Sequence, residues 1–466
     1  MRKFKIPKKI ACFLLIVISM MSLFPIETRA DEFWPEGPVI DAPSAIVIEQ
    51  NTGVILYDKN SDQVNYPASI TKVMTVLLAL ENCDLDEIVT FSADAVFKNE
   101  GNTSHIARDL NEKMTMEECL YAVMLESANE CAYAVAEHVG EKLGGDYQTF
   151  IDLMNQRAKE LGCTNTHFAN ANGLPDEDHW TSAKDMALIA AEAYKNESYR
   201  IIIGSRRYVI PPTNKHKENT YLNNHHCMIH NFKTAEYLYE YCTGGKTGYT
   251  VAAGSTLVSY AEKDGISLVC VIMKANGTQH YVNTRILFEY CFQNFVTYNI
   301  VEHDNSLTES IKNKGFMNNF GSYVKIENDS TIVLPATASF SDANCTIKKN
   351  ETDSKNVAYL EYTYGDRIVG IADIITSGVF VEETYFDKNS SIIDPEKDTI
   401  RVKPIYIVLV VLAIIALVMM ILLGKRFYDN YYVILHNVDV WKQRKQRFRP
   451  IEKKRRKRKR RDRMFR

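Results

Sequence analysis

A serine and a lysine three residues apart stand at the start of a strongly apolar stretch. Ser69 and Lys72 are followed by residues 73–80, which are apolar apart from one threonine. Residues three apart lie on one face of a helix, and a helix that is apolar all round is buried. Burial lowers the pKa of a lysine, and its neutral amine can then take the proton of a serine hydroxyl. The pattern predicts a buried helix that begins at a nucleophilic Ser69, with Lys72 as its base.

Two further motifs follow along the chain. Ser127-Ala128-Asn129 lies within an apolar stretch with helical spacing, residues 114–139, so we expect it inside a helix. Lys246-Thr247-Gly248 opens a stretch, residues 247–274, that alternates like paired strands. A serine three residues before a lysine is common by chance, as an N-cap followed by a solvated lysine. The three motifs in this order are those of penicillin-binding proteins and class A β-lactamases.

The residues around these motifs resemble one family in particular. The segment Pro67–Thr75 resembles the nucleophile segment of the low-molecular-weight D-alanyl-D-alanine carboxypeptidases, peptidase family S11. Residues 45–57, 168–187 and 246–261 resemble other parts of that family, and the likeness covers roughly residues 31–294. It implies an α/β (α+β) fold of the β-lactamase/transpeptidase-like type. An antiparallel sheet flanked by helices and an all-helical lobe would enclose the site.

The same resemblance implies roles for eight residues. Ser69 is the nucleophile, Lys72 is the base, and Ser127 passes a proton to the leaving group. The substrate-binding residues are Asn129 for an amide, Lys246 and Thr247 for the terminal carboxylate, and Gly248 for close approach of the substrate backbone. The backbone N–H groups of Ser69 and Tyr249 form the oxyanion hole.

The implied reaction removes the terminal D-alanine from peptidoglycan stem peptides through a Ser69 acyl-enzyme. The expected partners are the D-Ala-D-Ala end of the pentapeptide stem and β-lactam antibiotics, which would acylate the same serine. No cofactor and no metal are expected.

Two other functions stay open on the residues alone. A class A β-lactamase needs a glutamate between the second and third motifs for fast deacylation, and this region resembles the carboxypeptidases instead. A non-catalytic wall-binding protein would not need the intact Ser69, Lys72, Ser127 and Lys246.

One departure from the family concerns the carboxylate. Some members have an arginine after the second strand of the site, whereas residues 276–282 here contain His280 and no arginine. We therefore expect recognition of the carboxylate to depend more on Lys246 and Thr247.

Several potential metal ligands precede the third motif. They are His216, His225, His226, Cys227 and His230. Their spacing fits no common structural-zinc pattern, which favours a polar surface hairpin over a metal site. Nine cysteines follow Cys12, and this odd number without close pairs is not typical of a disulfide framework.

The charge of the chain is unevenly distributed. Residues 31–424 carry 31 Lys/Arg and 53 Asp/Glu, whereas residues 425–466 carry 18 Lys/Arg and 4 Asp/Glu. Between these parts, residues 405–423 form a run of 19 without a charge, which is long enough to cross a bilayer. The positive-inside rule places the basic tail in the cytoplasm and the acidic body outside the cell.

The complete organisation follows from these features. The predicted parts are a signal peptide (1–30), the carboxypeptidase domain (31–297), a small all-β domain (298–386), a linker (387–404), a transmembrane helix (405–423) and a basic cytoplasmic tail (424–466). The basic start and the apolar run 10–26 have a signal-peptide layout, although the run is long enough to remain as an uncleaved anchor. We expect the tail to contact anionic lipids of the cell membrane and not nucleic acid.

Overall fold

The computed structural model describes residues 34–98, 103–303, 324–326, 330–349 and 356–376. The strands are β1 (Ser44–Glu49), β2 (Ile55–Lys59), β3 (Ile88–Thr90), β4 (Lys113–Thr115), β5 (Arg207–Ile210), β6 (Thr220–Asn223), β7 (Cys242–Thr250), β8 (Gly254–Lys263), β9 (Ile266–Ala275), β10 (Phe295–Asn299), β11 (Val324–Ile326), β12 (Thr331–Pro335), β13 (Asn344–Lys349), β14 (Asn356–Tyr364) and β15 (Arg367–Thr376). The helices are α1 (Lys72–Asn82), α2 (Ala93–Phe97), α3 (Met116–Tyr121), α4 (Asn129–Lys142), α5 (Tyr147–Glu160), α6 (Ala183–Lys195), α7 (Glu197–Gly204), α8 (Gln279–Asn294) and α9 (Ile300–His303).

A five-stranded antiparallel sheet with the order β2-β1-β9-β8-β7 carries the site, and β7 is one of its edges. Side chains of a strand alternate between the two faces of a sheet. In β9, Val269 and Val271 belong to one apolar core, while Leu268 and Cys270 belong to another. Helix α6 packs on β9 and β1, and α8 packs on β9 and β8. This arrangement confirms the predicted antiparallel sheet flanked by helices.

Helix α1 lies at the centre of the helical lobe. Its residues 72–79 are all buried, as the apolar run predicts. The helix contacts α4, α5, α6 and α7, and a one-turn 3-10 helix at Ala68–Thr71 leads into it. The surrounding helices therefore hold the first residues of α1 in place.

The single helix expected over residues 114–139 is wrong. This stretch contains part of β4, then α3, then a π-helical turn, Ala122–Glu126, before α4 begins at Asn129. Between the last two, Ser127 adopts a left-handed conformation with φ 60° and ψ 30°. Such a conformation cannot continue a right-handed helix. The second motif therefore lies at a break between helices and not in a helix interior.

A second group of strands follows α8. Strands β10 and β12 pair with each other, and a four-stranded sheet has the order β11-β15-β14-β13. The apolar core shared by these strands includes Leu334, Leu360 and Ile374. The sequence pattern of residues 311–386 predicts strands at 323–326, 331–334, 357–364 and 368–375. Strands β11, β12, β14 and β15 lie at these positions, whereas β10 and β13 are not predicted. The predicted domain boundaries stay predictions.

Several predicted segments lie outside the described residues. They are the signal peptide, the linker, the transmembrane run 405–423 and the basic tail. Within the described residues, no helix is long and apolar enough to cross a membrane. The nine cysteines after Cys12 are all described, and none of them forms a disulfide.

Candidate active site

One cavity of about 940 Å³ brings the three motifs together. Ser69 lines it from the turn before α1, and Ser127 and Asn129 line it from the helix break. On the other side it is lined by β7, which contributes Thr247, Gly248 and Tyr249. Lys72 and Lys246 are buried behind these residues. All eight residues singled out from the sequence therefore belong to one site or to its immediate wall.

Lys72 is fully buried, and its amine has three oxygen neighbours. The distance from Nζ to Ser69 Oγ is 3.1 Å, and Nζ donates to Asn129 Oδ1 at 2.7 Å. It also donates to the backbone carbonyl of Asn172. A neutral amine has two N–H donors and one lone pair. The amide and carbonyl oxygens can accept both donors, which leaves the lone pair for the hydroxyl proton of Ser69.

The surroundings of Lys72 favour this neutral form. Burial, and then the positive charge of Lys246, hold the pKa of Lys72 well below its usual range. The negative charge of Glu130 opposes this shift but is a smaller cause. Ser69 itself is only partly buried, so a substrate can reach its hydroxyl while the base stays away from water.

Ser127 lies beside the nucleophile at the helix break. Its Oγ atom is buried and has no hydrogen-bond partner within the described part of the chain. A buried hydroxyl without a partner is unfavourable by about 1–3 kcal/mol. The left-handed backbone of this residue adds a further cost of about 1–2 kcal/mol. The hydroxyl is therefore available to a group bound in the cavity that Ser127 lines.

Lys246 is buried within β7. Its Nζ atom donates to the carbonyl of Thr247 at 2.8 Å. Burial, and then the charge of Lys233, lower the pKa of Lys246 to about 7. This lysine therefore changes charge near neutral pH, unlike an ordinary solvated lysine.

Two glycines, which have no side chain, allow the neighbouring chain to pack closely against the turn that carries Ser69. A Cβ atom at Gly248 would lie 2.3 Å from Thr256 Oγ1 and 2.9 Å from the backbone nitrogen of Ser69. A Cβ atom at Gly173 would lie 1.9 Å from the carbonyl of Ala68. The structural need for Gly248 is therefore the contact between β7 and the nucleophile turn. Room for the substrate backbone, which the sequence predicts as the role of Gly248, is only part of the reason for a glycine at this position.

Further side chains hold the same turn, and motif reasoning assigned no role to them. Thr256 Oγ1 donates to the carbonyl of Pro67 at 2.8 Å. Thr71 Oγ1 donates to the carbonyl of Ala68 and lies 2.8 Å from His179 Nε2. Burial lowers the pKa of His179 to about 3, so this imidazole is neutral. The carbonyl of Asn172, an acceptor for Lys72, was also missed because a backbone group leaves no signal in a sequence.

The prediction of a polar surface hairpin at the histidine cluster is wrong in its central part. His226, Cys227 and His230 are buried, and His226 Nε2 lies 2.8 Å from Ser259 Oγ beneath the sheet. Only His216 lies in the loop of the β5–β6 hairpin. Polar residues indicate exposure on average, but an imidazole with a hydrogen-bond partner for one ring nitrogen, as His226 has, can pack in a core.

Two other groups contain enough donor atoms to hold a metal ion. They are Cys83, Glu87 and His138, and Asp109, Glu112 and His216. In each group the glutamate already pairs with a basic side chain, Lys142 at Glu87 and Arg108 at Glu112. Neither group lines the cavity.

Comparisons with known proteins agree with this geometry. The family model described as D-alanyl-D-alanine carboxypeptidase, Peptidase_S11, matches residues 31–277. The D-alanyl-D-alanine carboxypeptidase DacF of Bacillus subtilis strain 168 is 32% identical over 281 residues, which are 59% of this chain and 68% of the relative. DacA of Haemophilus influenzae, a D-alanyl-D-alanine carboxypeptidase, is 28% identical over 62% of this chain and 71% of its own length.

Solved structures give the same result. The Streptomyces K15 DD-transpeptidase superposes with a TM-score of 0.50 at 26% identity, over 55% of this chain and 99% of the transpeptidase. Penicillin binding protein 5 from Haemophilus influenzae gives a TM-score of 0.57 over 73% of this chain and 98% of that protein. Its identity of 22% makes this a likeness of fold.

The enclosure of the nucleophile turn predicts the effect of one added methyl group. Gly248→Ala places a Cβ atom against Thr256 and the Ser69 nitrogen, so the turn must move away from β7. A displacement of about 1 Å can slow a reaction about 100-fold. We expect Gly248→Ala to slow covalent labelling by a fluorescent penicillin by about that factor. The control is Ser205→Ala, outside the cavity, which should be labelled at the rate of the unchanged protein. Equal labelling of both folded variants would contradict the proposed contact.

Proposed function

The chain belongs to the D-alanyl-D-alanine carboxypeptidase family, peptidase family S11, and we propose that Ser69 is the nucleophile with which this serine peptidase releases the terminal D-alanine of peptidoglycan stem peptides. The observation that carries the assignment is the 3.1 Å contact between Ser69 Oγ and the buried amine of Lys72. The family acts on D-Ala-D-Ala stems and binds β-lactams, so we expect the cavity to take both.

Acylation begins when Lys72 takes the hydroxyl proton of Ser69. The Ser69 oxygen attacks the carbonyl carbon between the last two D-alanines, and the negative charge passes to the carbonyl oxygen. The backbone N–H groups of Ser69 and Tyr249 stabilise this oxyanion. The side-chain oxygen of Asn129 accepts a hydrogen bond from Lys72, and its side-chain N–H groups can donate to a substrate carbonyl.

The intermediate collapses as the bond to the leaving nitrogen breaks. The proton taken by Lys72 reaches that nitrogen through the hydroxyl of Ser127, and D-alanine leaves as an amine. Water then attacks the acyl-enzyme, with Lys72 again accepting a proton, and Ser69 is restored. The unpartnered Oγ atom of Ser127 supports this shuttle, because a buried hydroxyl there needs a partner that substrate would supply.

Two observations weigh against the alternatives. Among the cavity-lining residues of the described ranges, none is an aspartate or a glutamate, although a class A β-lactamase uses a glutamate to activate the deacylating water. A non-catalytic wall-binding protein has no need for a buried lysine with a lowered pKa next to a serine.

The same proposal includes a place at the cell membrane. Residues 405–423 would span the bilayer once, with the basic tail in the cytoplasm and in contact with anionic lipid headgroups. The catalytic body would then lie outside the cell, close to the nascent wall. The support is the uncharged run of 19 residues and the excess of Lys/Arg that follows it.

Replacing the nucleophile tests the assignment directly. We expect Ser69→Ala to abolish both D-alanine release from a D-Ala-D-Ala peptide and labelling by a fluorescent penicillin, because no other hydroxyl lies next to Lys72 Nζ in the described residues. Lys72→Arg should also stop acylation, since a guanidinium stays protonated and cannot act as a base. Ser205→Ala, outside the cavity, is the control. Retained labelling of Ser69→Ala would remove Ser69 from its role.

The pKa of Lys246 predicts a dependence on pH. At a pH below its pKa of about 7, the amine of Lys246 is positive and attracts the terminal carboxylate. At a higher pH the amine is neutral. We expect KM for a D-Ala-D-Ala peptide to rise above pH 7, by up to about tenfold per unit. The same peptide with a C-terminal amide should show no such rise. A KM for the free acid that stays constant from pH 6 to 9 would contradict this role.

Topology can be tested separately. Protease added to sealed, wall-stripped cells should digest the catalytic body and leave an epitope on the tail intact, because moving the basic tail outward is opposed by its charge. A chain cut after Ser390 should be released from the membrane and still bind penicillin, since all three motifs precede the cut. Digestion of the tail epitope in sealed cells would reverse the orientation.

A further inference from the structure

The cavity has an unusual distribution of charge for a site that binds an anion. Among its described lining residues, Lys233 is the only lysine or arginine. Its side chain is exposed, and within the described residues it has no ion-pair partner. An exposed lysine is positively charged at neutral pH. Its charge is therefore available to a ligand in the cavity.

The other basic groups around the cavity are less available. His225 Nε2 already pairs with Glu126 at 2.9 Å. His280 is neutral, since burial lowers its pKa to about 4 and its Nδ1 atom bonds to the carbonyl of Gly277. Lys246 is buried, bonds to the carbonyl of Thr247 and is only partly protonated at neutral pH. None of the three offers a full positive charge to a solvated anion.

The segment that carries Lys233 is fixed at both ends. Before it, the ring of Phe232 stacks with His225 at 6.3 Å. After it, Tyr237 stacks on Tyr281 at 5.1 Å and its hydroxyl donates to Thr278 Oγ1 at 3.0 Å. The segment therefore packs against the start of α8, and from this segment Lys233 lines the cavity.

Lys233 also lies close enough to act on the interior of the site. Its positive charge lowers the pKa of Lys246 and that of Glu126. Lys233 and Thr247 line the same cavity, so the Lys233 side chain borders the space at the carboxylate-binding end of β7.

We propose that Lys233 binds the terminal carboxylate of the substrate together with Lys246 and Thr247 and makes the site selective for peptides with a free C-terminus. The expectation that recognition depends on Lys246 and Thr247 is then incomplete, because the standing charge comes from the segment before β7. This inference rests on the proposed function, since it concerns the leaving D-alanine of that reaction. A charged hydrogen bond of this kind typically changes binding by about 10- to 100-fold.

The test compares two substrates on the full-length protein. One is an acyl-D-Ala-D-Ala peptide, and the other is the same acyl-D-alanine as an ethyl thioester, whose leaving group carries no carboxylate. We expect Lys233→Gln to lower kcat/KM for the peptide by about 10- to 100-fold, mainly through KM, and to leave the thioester unchanged. Lys233→Arg should restore most of the loss. The control is Lys159→Gln, an exposed lysine of α5 outside the cavity, which should behave like the unchanged protein.

The possible results distinguish a wrong role for Lys233 from a wrong function of the protein. If the unchanged protein releases D-alanine and Lys233→Gln retains full kcat/KM on the peptide, the inference is wrong and the proposed function stands. An equal loss on both substrates would also overturn it, because a carboxylate ligand cannot matter to a substrate without a carboxylate. If the unchanged protein releases no D-alanine, the proposed function itself is wrong. Equal melting temperatures of the variants would show that each is folded.

Discussion

The whole site depends on the exclusion of water from the amine of Lys72. The ammonium form of a buried lysine is unfavourable, and Lys72 can act as a base only because α1 and its neighbours exclude water from it. Three separate parts of the chain supply its oxygen neighbours: the nucleophile turn, the helix break at Asn129 and the loop at Asn172. The packing that stabilises the helical lobe therefore also sets the protonation state of the base, Lys72.

The backbone around this amine is held in unfavourable conformations. Ala68 and Ser127, on either side of the reacting atoms, both have positive φ angles of 53° and 60°. Each conformation costs about 1–3 kcal/mol and persists only where the surroundings enforce it. The enforcement is visible at the first of them, where Gly173 and Thr256 contact the turn and a side chain at either Gly173 or Gly248 would clash. Two of the strained backbone positions in the described residues therefore lie in the segments that carry the reacting side chains.

Much of the fold could be predicted from the sequence, for identifiable reasons. The apolar run after Lys72 and the alternation in β9 each bury a continuous surface, so their periodicity determines their structure. The break at Ser127 could not be predicted, because a left-handed serine between two apolar helices leaves the hydrophobic pattern unchanged. The burial of His226 depends on Ser259, 33 residues away, and no local pattern contains that information. The roles of Gly173 and the Asn172 carbonyl depend on backbone geometry, which side-chain patterns do not encode.

The edge position of β7 has a further consequence. An edge strand offers its unpaired N–H and C=O groups to any extended chain that is laid beside it. Recognition along such an edge is made through the main chain, which all peptides share. A site of this kind would be permissive toward side chains farther along a stem peptide. Wall precursors that differ in their middle residue could then be trimmed by the same enzyme.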